Sequence, residues 1–516
     1  MKKDEYDVII IGAGIGGLTA GNILAKNGMK VLILEKNQVP GGAVTTFYKD
    51  GYPIDITHSL CGIREGAVVN RIFDYLNINE RFEFLELEKP FIYIPKNQNK
   101  PIFCYGDFSK YAEELKLYFP AEHKNIKKLF NEITKIWQHE AVKSYSNPSL
   151  SILFLYPFLF PHLFKYRNYT FEKFLNRFIS SPALKEIISV YWLYLGLEKG
   201  AVSALYMICL LGAYHTDKSC FVKGGFGRIP VILASNFEEL GGRILYNTEV
   251  DKILLNSKKV TYGVRDKNNN EYYAKKIASN IDSKKTFLEL IERRFLPQNL
   301  INRAVELKMS CSAIQIHLIA EAELNRDFLS VGTIVLPLRI DLEKRLKMLF
   351  KFNSQSYTKP VLSVNINCLS NFDNFDSENI YIFNIGWLPA NYILWKKFIN
   401  LYGRKEYEDL KSEIVQLVIK EIRKFWVIKK VKLSNVLTPV SFEKWLNATE
   451  GAIYDIAASP QQTLLRRFHN KTPIENLFLV GAKTFPGAGI PGALISATSF
   501  SDIVLKGKLT NGKVAL

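Results

Sequence analysis

Four glycines and one acid stand at spacings that could do chemistry near the start of the chain. The run Gly12-Ala13-Gly14-Ile15-Gly16-Gly17 reads GxGxxG, and Glu35 follows eighteen residues after Gly17. Glycines so placed suit a pyrophosphate. Gly12 permits a tight turn, Gly14 lets the backbone approach the phosphates, and Gly17 lets a helix pack closely on a strand. The amides of Ile15 and Gly16 would open that helix, where free N–H groups and a partial positive charge favour an anion. Glu35, with Lys36 beside it, stands where a carboxylate accepts both hydroxyls of a ribose. A free 2′-hydroxyl fits FAD or NAD better than NADP.

The elements around these residues position them. Val8-Ile9-Ile10-Ile11 is the continuous β-branched run of a parallel strand buried on both faces. Leu18 to Lys26 has helical spacing, Gly28 is a plausible stop, and Val31–Leu34 is a second buried strand that ends at Glu35. Near the other end, Asn476–Val480 reads as a third parallel strand closing on Gly481. Gly487, Gly489, Ile490, Pro491 and Gly492 then lead into a helix-period run from Ala493 to Leu505. A backbone so rich in glycine is expected to lie against a ligand, with the following helix pointing its N-terminus at it. Between these ends, Gly242–Ile244, Asn247–Val250 and Lys252–Leu255 read as strands, and Val260–Arg265 with Glu271–Lys275 as a meander.

Composition sets the outer bounds. The 516 residues are 47% hydrophobic and 23% charged, which suits a globular chain and excludes collagen-like or low-complexity character. Six cysteines form no CxxC pair, and no HxxH or HExxH occurs, so no metal ligands and no disulfide scaffold are expected. Lys+Arg 68 against Asp+Glu 50 leaves +18, which suits an anionic surface; no nucleic-acid-binding motif accompanies it. The start of the chain does not read as a signal peptide, and the expected compartment is reducing and intracellular.

Further residues carry a resemblance. Gly41-Gly42 after Glu35, then Gly51-Tyr52-Pro53-Ile54-Asp55, and the C-terminal PGAGIPG resemble the FAD-dependent phytoene desaturases, carotenoid isomerases and retinol saturases of the amine oxidase-like flavoprotein superfamily. The family usually has Arg where this chain has Ala43, Gly where it has Thr57, and His where it has Phe485. The resemblance implies an α/β fold: a Rossmann-like FAD-binding domain with an inserted mixed-sheet and helical region for substrate and membrane. Residues 1–70, 218–285 and 470–516 would build the FAD domain, 71–217 a helical substrate and membrane region, and 286–469 a substrate domain. It implies FAD contacts at Gly41, Gly42, Asp55, Val250, Gly481, Gly489, Ile490 and Gly492.

No second nicotinamide module is expected, so electrons would leave for oxygen, a quinone or a diffusing partner. No Ser/His/Asp set stands out, and the cofactor would carry the hard chemistry. The leading expectation is desaturation of a lipophilic polyene or isoprenoid, with hydride passing from an allylic carbon to flavin N5. His58, Lys223 and Arg228 are the candidate catalytic groups near the ring. Isomerisation or saturation in the same frame, amine oxidation, and a membrane-binding role with structural FAD are the alternatives. Leu150–Phe164 is aliphatic and aromatic, broken by Pro157 and Pro161 and followed by Lys165 and Arg167. It reads as core or as an interfacial segment, and with the basic cluster at 423–432 it suggests a cytoplasmic protein peripheral to the cell membrane.

Overall fold

The strand Glu5–Ile11 is buried on both faces, as its run of Val and Ile requires, and sits in the middle of a seven-stranded sheet. In the computed structural model, the described residues are 5–95, 100–141, 156–328, 331–337, 361–375, 377, 379–463, 466–487, 489–507 and 509. Arg243–Leu245, Val31–Leu34, Glu5–Ile11, Glu271–Ser279 and Leu477–Leu479 lie parallel. Val250–Leu255 and Thr261–Asp266 complete the sheet as an antiparallel meander onto Glu271–Ser279. Leu477–Leu479 therefore pairs with the end of Glu271–Ser279 that the meander leaves open. Residues 247–249 are irregular and not strand, because Asn247 is left-handed at φ +52°. The helices Ile15–Lys26, Arg228–Glu239 and Ile490–Val504 cover one face.

A second seven-stranded sheet runs in the order Val427–Leu437, Ser312–Glu323, Ile380–Ala390, Val361–Cys368, Val331–Pro337, Lys89–Tyr93, Ile102–Cys104. Side chains alternate across it. Ile314, Ile316 and Leu318 pack toward the helix Tyr392–Ile422. The intervening positions, Ala313, Gln315 and His317, face the other way, toward the cofactor sheet.

Helices between residues 108 and 216 form a separate aromatic-rich core. Of the segment Leu150–Phe164, residues 150–155 lie outside the described residues. The rest forms two short helices, Tyr156–Leu159 and Pro161–Tyr166. Phe160 and Leu163 are buried, whereas Phe158 is 82% and Leu159 51% exposed. Among the described residues no helix is long and apolar enough to cross a membrane. In the basic cluster, Trp426 is buried, and Lys424 and Lys429 are paired with Glu421 and Glu323.

Candidate functional site

The helix Ile15–Lys26 starts without a side-chain cap, because its N-cap is Gly14. Its first helical bond runs from Leu18 N to Gly14 O, which leaves the preceding amides free for an anion. The glycines before it are enforced by crowding. A Cβ at Gly16 would lie 2.4 Å from Gly481 Cα, and one at Gly14 would lie 2.9 Å from Asn280 Nδ2. Asn280 locks the turn by donating to Gly12 O at 3.1 Å. The helix Ile490–Val504 likewise begins uncapped at Gly489, whose φ is +87°. A Cβ at Gly492 would lie 2.3 Å from Gly487 O.

Both helix starts open on one cavity of about 770 Å³. Gly12, Gly14, Ile15, Gly16, Gly41 and Gly42 line it, as do Gly489, Ile490 and Gly492. Glu35, Lys36 and Val250 line its far end. Glu35 is 5% exposed; Oε2 accepts from Ala13 N and Oε1 from Asn37 N, each at 2.8 Å. Burial raises its pKa against the pull of those two amides. Each carboxylate oxygen keeps a lone pair for a ribose hydroxyl. Burial lowers the Lys36 ammonium, which donates to Lys444 O at 3.3 Å. Two uncapped helix starts, a glycine cradle that a Cβ would fill, and a hydroxyl-accepting carboxylate together fit the pyrophosphate and ribose of FAD.

Beyond the glycines the cavity becomes apolar. Leu193, Leu195, Leu210, Ala213, Leu388 and Ile453 line it, together with Tyr194, Tyr206, Tyr214, Tyr454 and Trp137. Burial raises the pKa of all four phenols, so they stay protonated. Their hydroxyls are largely answered within the wall. Ser59 Oγ meets Tyr214 Oη at 2.7 Å and Tyr194 Oη at 3.1 Å, Tyr194 Oη meets Thr333 Oγ1 at 2.6 Å, and Tyr206 Oη donates to Pro486 O.

A row of polar side chains crosses the centre of the second sheet. Asn435, His317, Asn384 and Asn365 stand in register on adjacent strands. This row grips the segment that follows Asp55. Asn384 Nδ2 and His317 Nε2 donate to Asp55 O, at 2.8 and 3.2 Å, and Gln315 Nε2 donates to Ile56 O at 2.9 Å. His58 is thereby fixed on the cavity wall, 3.2 Å from Asn384 Nδ2 at its Nδ1. Burial pulls the His58 imidazole down to about 4 and that of His317 to about 3, so both are neutral.

Several sequence-derived sites need correction. Lys223 and Arg228 do not reach the cavity. The turn at Gly224 and Gly225, with φ of +82° and +90°, leaves them at the surface, where Lys223 pairs with Glu83 at 2.8 Å and Arg228 with Asp373 at 3.0 Å. Asp55 is not on the cavity wall either. Its carboxylate accepts from the Thr46 hydroxyl and from Phe226 N at 3.1 Å, tying the hairpin to that turn, and burial raises it to about 7. Gly481 lies behind the wall, where a Cβ would sit 2.1 Å from Asn280 Oδ1; Gly17 lies there too, 2.3 Å from Gly12 O by the same measure, in the close helix–strand packing expected of it. His58 does line the cavity, but its Nδ1 is held as an acceptor, which makes the ring a donor at Nε2 and not a base.

Sequence reasoning missed Gln315, Asn384, Tyr194 and the pair Asp455–Lys483. Lone polar residues inside apolar strands, as in AIQIHLIA and IFNIGW, were a usable signal for the first two. Lys483 Nζ lies 2.9 Å from Asp455 Oδ2 on the cavity wall, where burial raises the Asp455 carboxyl to about 6. Phe485 stacks on His469, with ring centroids 5.2 Å apart.

The family pattern of flavin-containing amine oxidoreductases matches residues 15–380 and 398–505. The chain belongs to that family. It is an FAD-dependent oxidoreductase. Among curated relatives it is 27% identical to prolycopene isomerase 2, chloroplastic, of an Oncidium hybrid cultivar, over 95% of this chain and 82% of that one. It is 23% identical to the lycopene-forming phytoene desaturase of Pseudescherichia vulneris, over 98% of this chain and 99% of the relative. Among solved structures, putrescine oxidase bound to putrescine has a TM-score of 0.62 at 15% identity, covering 98% of this chain and 99% of that chain. That likeness concerns the Rossmann-like flavoprotein fold alone.

Proposed function

We propose that the protein desaturates a long, uncharged polyene or isoprenoid. The observation that carries this reading is the apolar extension of the cavity beyond the glycine cradle, walled by Leu193, Leu195, Leu210, Ala213, Leu388 and Ile453. Such a wall binds through burial and shape, with few polar contacts. When bound, FAD would supply the acceptor for a hydride from an allylic carbon, and the neighbouring carbon would lose its proton to solvent. The protein's own part is to place that carbon, to exclude water, and to keep the surrounding phenols and His58 neutral. The relation to phytoene desaturase supports the same substrate class.

Isomerisation is the second reading. It is favoured by the relation to prolycopene isomerase and by Ala43 and Phe485 at positions where the desaturase-like family usually has Arg and His.

We further propose that the substrate arrives from a membrane surface. Phe158 and Leu159 project beside Lys165 and Arg167, a pattern that suits the headgroup region of an anionic bilayer. The helix Pro161–Tyr166 packs on the segment Trp137–Ala141, and Trp137 lines the cavity. Oxygen or a quinone would take the electrons.

The deciding experiment is anaerobic addition of phytoene in liposomes to the holoenzyme, with the visible flavin band followed. Bleaching with a more conjugated product is the expected result. An unbleached band with unchanged phytoene would reject phytoene as the electron donor, and an isomerised product would establish the second reading.

A further inference from the structure

Two polar atoms on the apolar wall, Gln315 Oε1 and His58 Nε2, have no partner among the described residues, and the same asparagine orients both side chains. Gln315 is 5% exposed and faces the cavity from the strand Ser312–Glu323. Its amide nitrogen is committed, at 2.9 Å to Ile56 O and 2.8 Å to Asn384 Oδ1. Among the described residues no donor reaches its Oε1. The orientation of Asn384 is forced, because its Nδ2 faces Asp55 O, which can only accept. That Nδ2 therefore also donates to His58 Nδ1, at 3.2 Å, and the imidazole proton resides on Nε2. Among the described residues no acceptor meets His58 Nε2–H.

The wall thus offers one acceptor and one donor, both fixed through Asn384. The neighbouring hydroxyls of Ser59, Tyr194 and Tyr214 bond one another and do not answer either group. A hydrocarbon would strand both atoms in an apolar pocket, which is unfavourable. A carboxylate or an aldehyde can accept but cannot donate. An ammonium can donate but cannot accept. A hydroxyl does both at one atom.

We propose that His58 Nε2–H and Gln315 Oε1 form a recognition pair for a substrate hydroxyl, so that the preferred substrate is an isoprenoid or polyene alcohol. This rests on the reading of the cavity as a lipophilic substrate site. His58 and Gln315 here recognise substrate, and Asn384 positions them.

The test is equilibrium binding to the oxidised holoenzyme, read by perturbation of the visible flavin band. Geranylgeraniol is compared with the hydrocarbon in which its hydroxyl is replaced by hydrogen. The wild type is expected to prefer the alcohol by ~10-fold or more, as two neutral hydrogen bonds allow. Gln315→Leu and His58→Phe should bring the ratio close to one, by weakening the alcohol and by relieving the penalty on the hydrocarbon. His58→Gln, which restores a donor, should recover much of the preference. If Gln315→Leu fails to hold FAD, the two His58 variants carry the test.

A wild-type ratio near one with both ligands bound overturns the recognition pair and leaves the lipophilic reading standing. A preference that survives both substitutions overturns it as well. If His58→Phe moves the flavin midpoint potential and no alcohol preference exists, the pair faces the flavin edge and the proposal falls. If neither ligand binds, the lipophilic reading falls with it.

Discussion

Gly16→Ala asks whether the glycine cradle is an FAD site or only a packing solution. The new Cβ would lie 2.4 Å from Gly481 Cα, 2.9 Å from Asn280 Oδ1 and 3.0 Å from Gly481 N. Carbon atoms ordinarily meet at about 3.5–4.0 Å, so the overlap with Gly481 exceeds ~1 Å. Gly481 cannot retreat easily. It directly follows Val480, whose amide bonds Ser279 O, its own N–H donates to Ser496 Oγ at 3.0 Å, and its φ is +90°. Overpacking of this kind costs ~1–3 kcal/mol. If that strain is released by opening the turn that holds the phosphates, FAD affinity falls by roughly 5- to 150-fold. Gly28→Ala is the control. Its Cβ would enter open space, but φ of +78° makes alanine strained by ~1–2 kcal/mol. Apo-protein of each variant is titrated with FAD by quenching of flavin fluorescence, and Tm is measured in parallel. Gly16→Ala should lose both affinity and stability, whereas Gly28→Ala should lose stability alone. FAD affinity within twofold of wild type in Gly16→Ala, or equal affinity losses in the two variants, would refute the reasoning.

Asp55 supplies a pH test. Its folded pKa of about 7 lies above the ordinary carboxyl value, so protonation favours the fold. Its contribution is full below about pH 4 and is lost as pH rises toward 7. Asp55→Asn removes that loss, so the Tm of the variant minus that of the wild type should grow between pH 4 and 7; a flat difference would count against it. Lys223→Ala and Arg228→Ala each break an exposed ion pair worth ~0–1 kcal/mol, and turnover should stay within twofold of wild type. A tenfold loss in either would return that residue to the active site. Flotation with anionic liposomes at low salt should bring up the wild type and leave the double variant Phe158→Asp, Leu159→Asp at the bottom; equal flotation of both would place the membrane contact elsewhere.

The nucleotide half of the molecule was legible because its signals are local. A β-branched run, glycines at fixed offsets, a helix and an acid each report on their own backbone, and the structure sets Gly12, Gly14, Gly16 and Glu35 on one cavity wall. The substrate half was not legible, because its geometry arises from pairing between distant segments. Gln315 meets Asn384 only because Ser312–Glu323 and Ile380–Ala390 are antiparallel neighbours. Lys223 and Arg228 misled for the converse reason. They flank a glycine turn that does approach the hairpin, but the turn presents its amides to Asp55 and sends its cations outward. Asp55 misled because the family resemblance implied an FAD contact there, whereas here it answers Phe226 N and the Thr46 hydroxyl.

The charge of the wall decides which ligands this cavity can desolvate. Putrescine oxidase shares the fold at 15% identity, and its solved complex holds a polyamine. A cationic amine leaving water needs a carboxylate or an aromatic cage to offset desolvation. In the apolar part of this cavity the wall carboxylate of Asp455 already faces Lys483 at 2.9 Å, so its field is largely spent. His58 is neutral, and Tyr194, Tyr206, Tyr214 and Tyr454 are held protonated. An ammonium placed there would find only the faces of Tyr194, Tyr206, Tyr214, Tyr454 and Trp137 and the Gln315 oxygen to offset its desolvation, with no unpaired carboxylate, whereas an uncharged chain would lose little hydration and gain apolar contact along its length. Lys483→Met separates the two cases. With the lysine gone, Asp455 loses its ion-pair partner and keeps only the field of Arg467, and a cationic ligand such as putrescine should gain affinity relative to an isoprenoid. If putrescine perturbs the flavin band of the wild type as strongly as that of the variant, the wall is not the discriminator and amine oxidation regains its place.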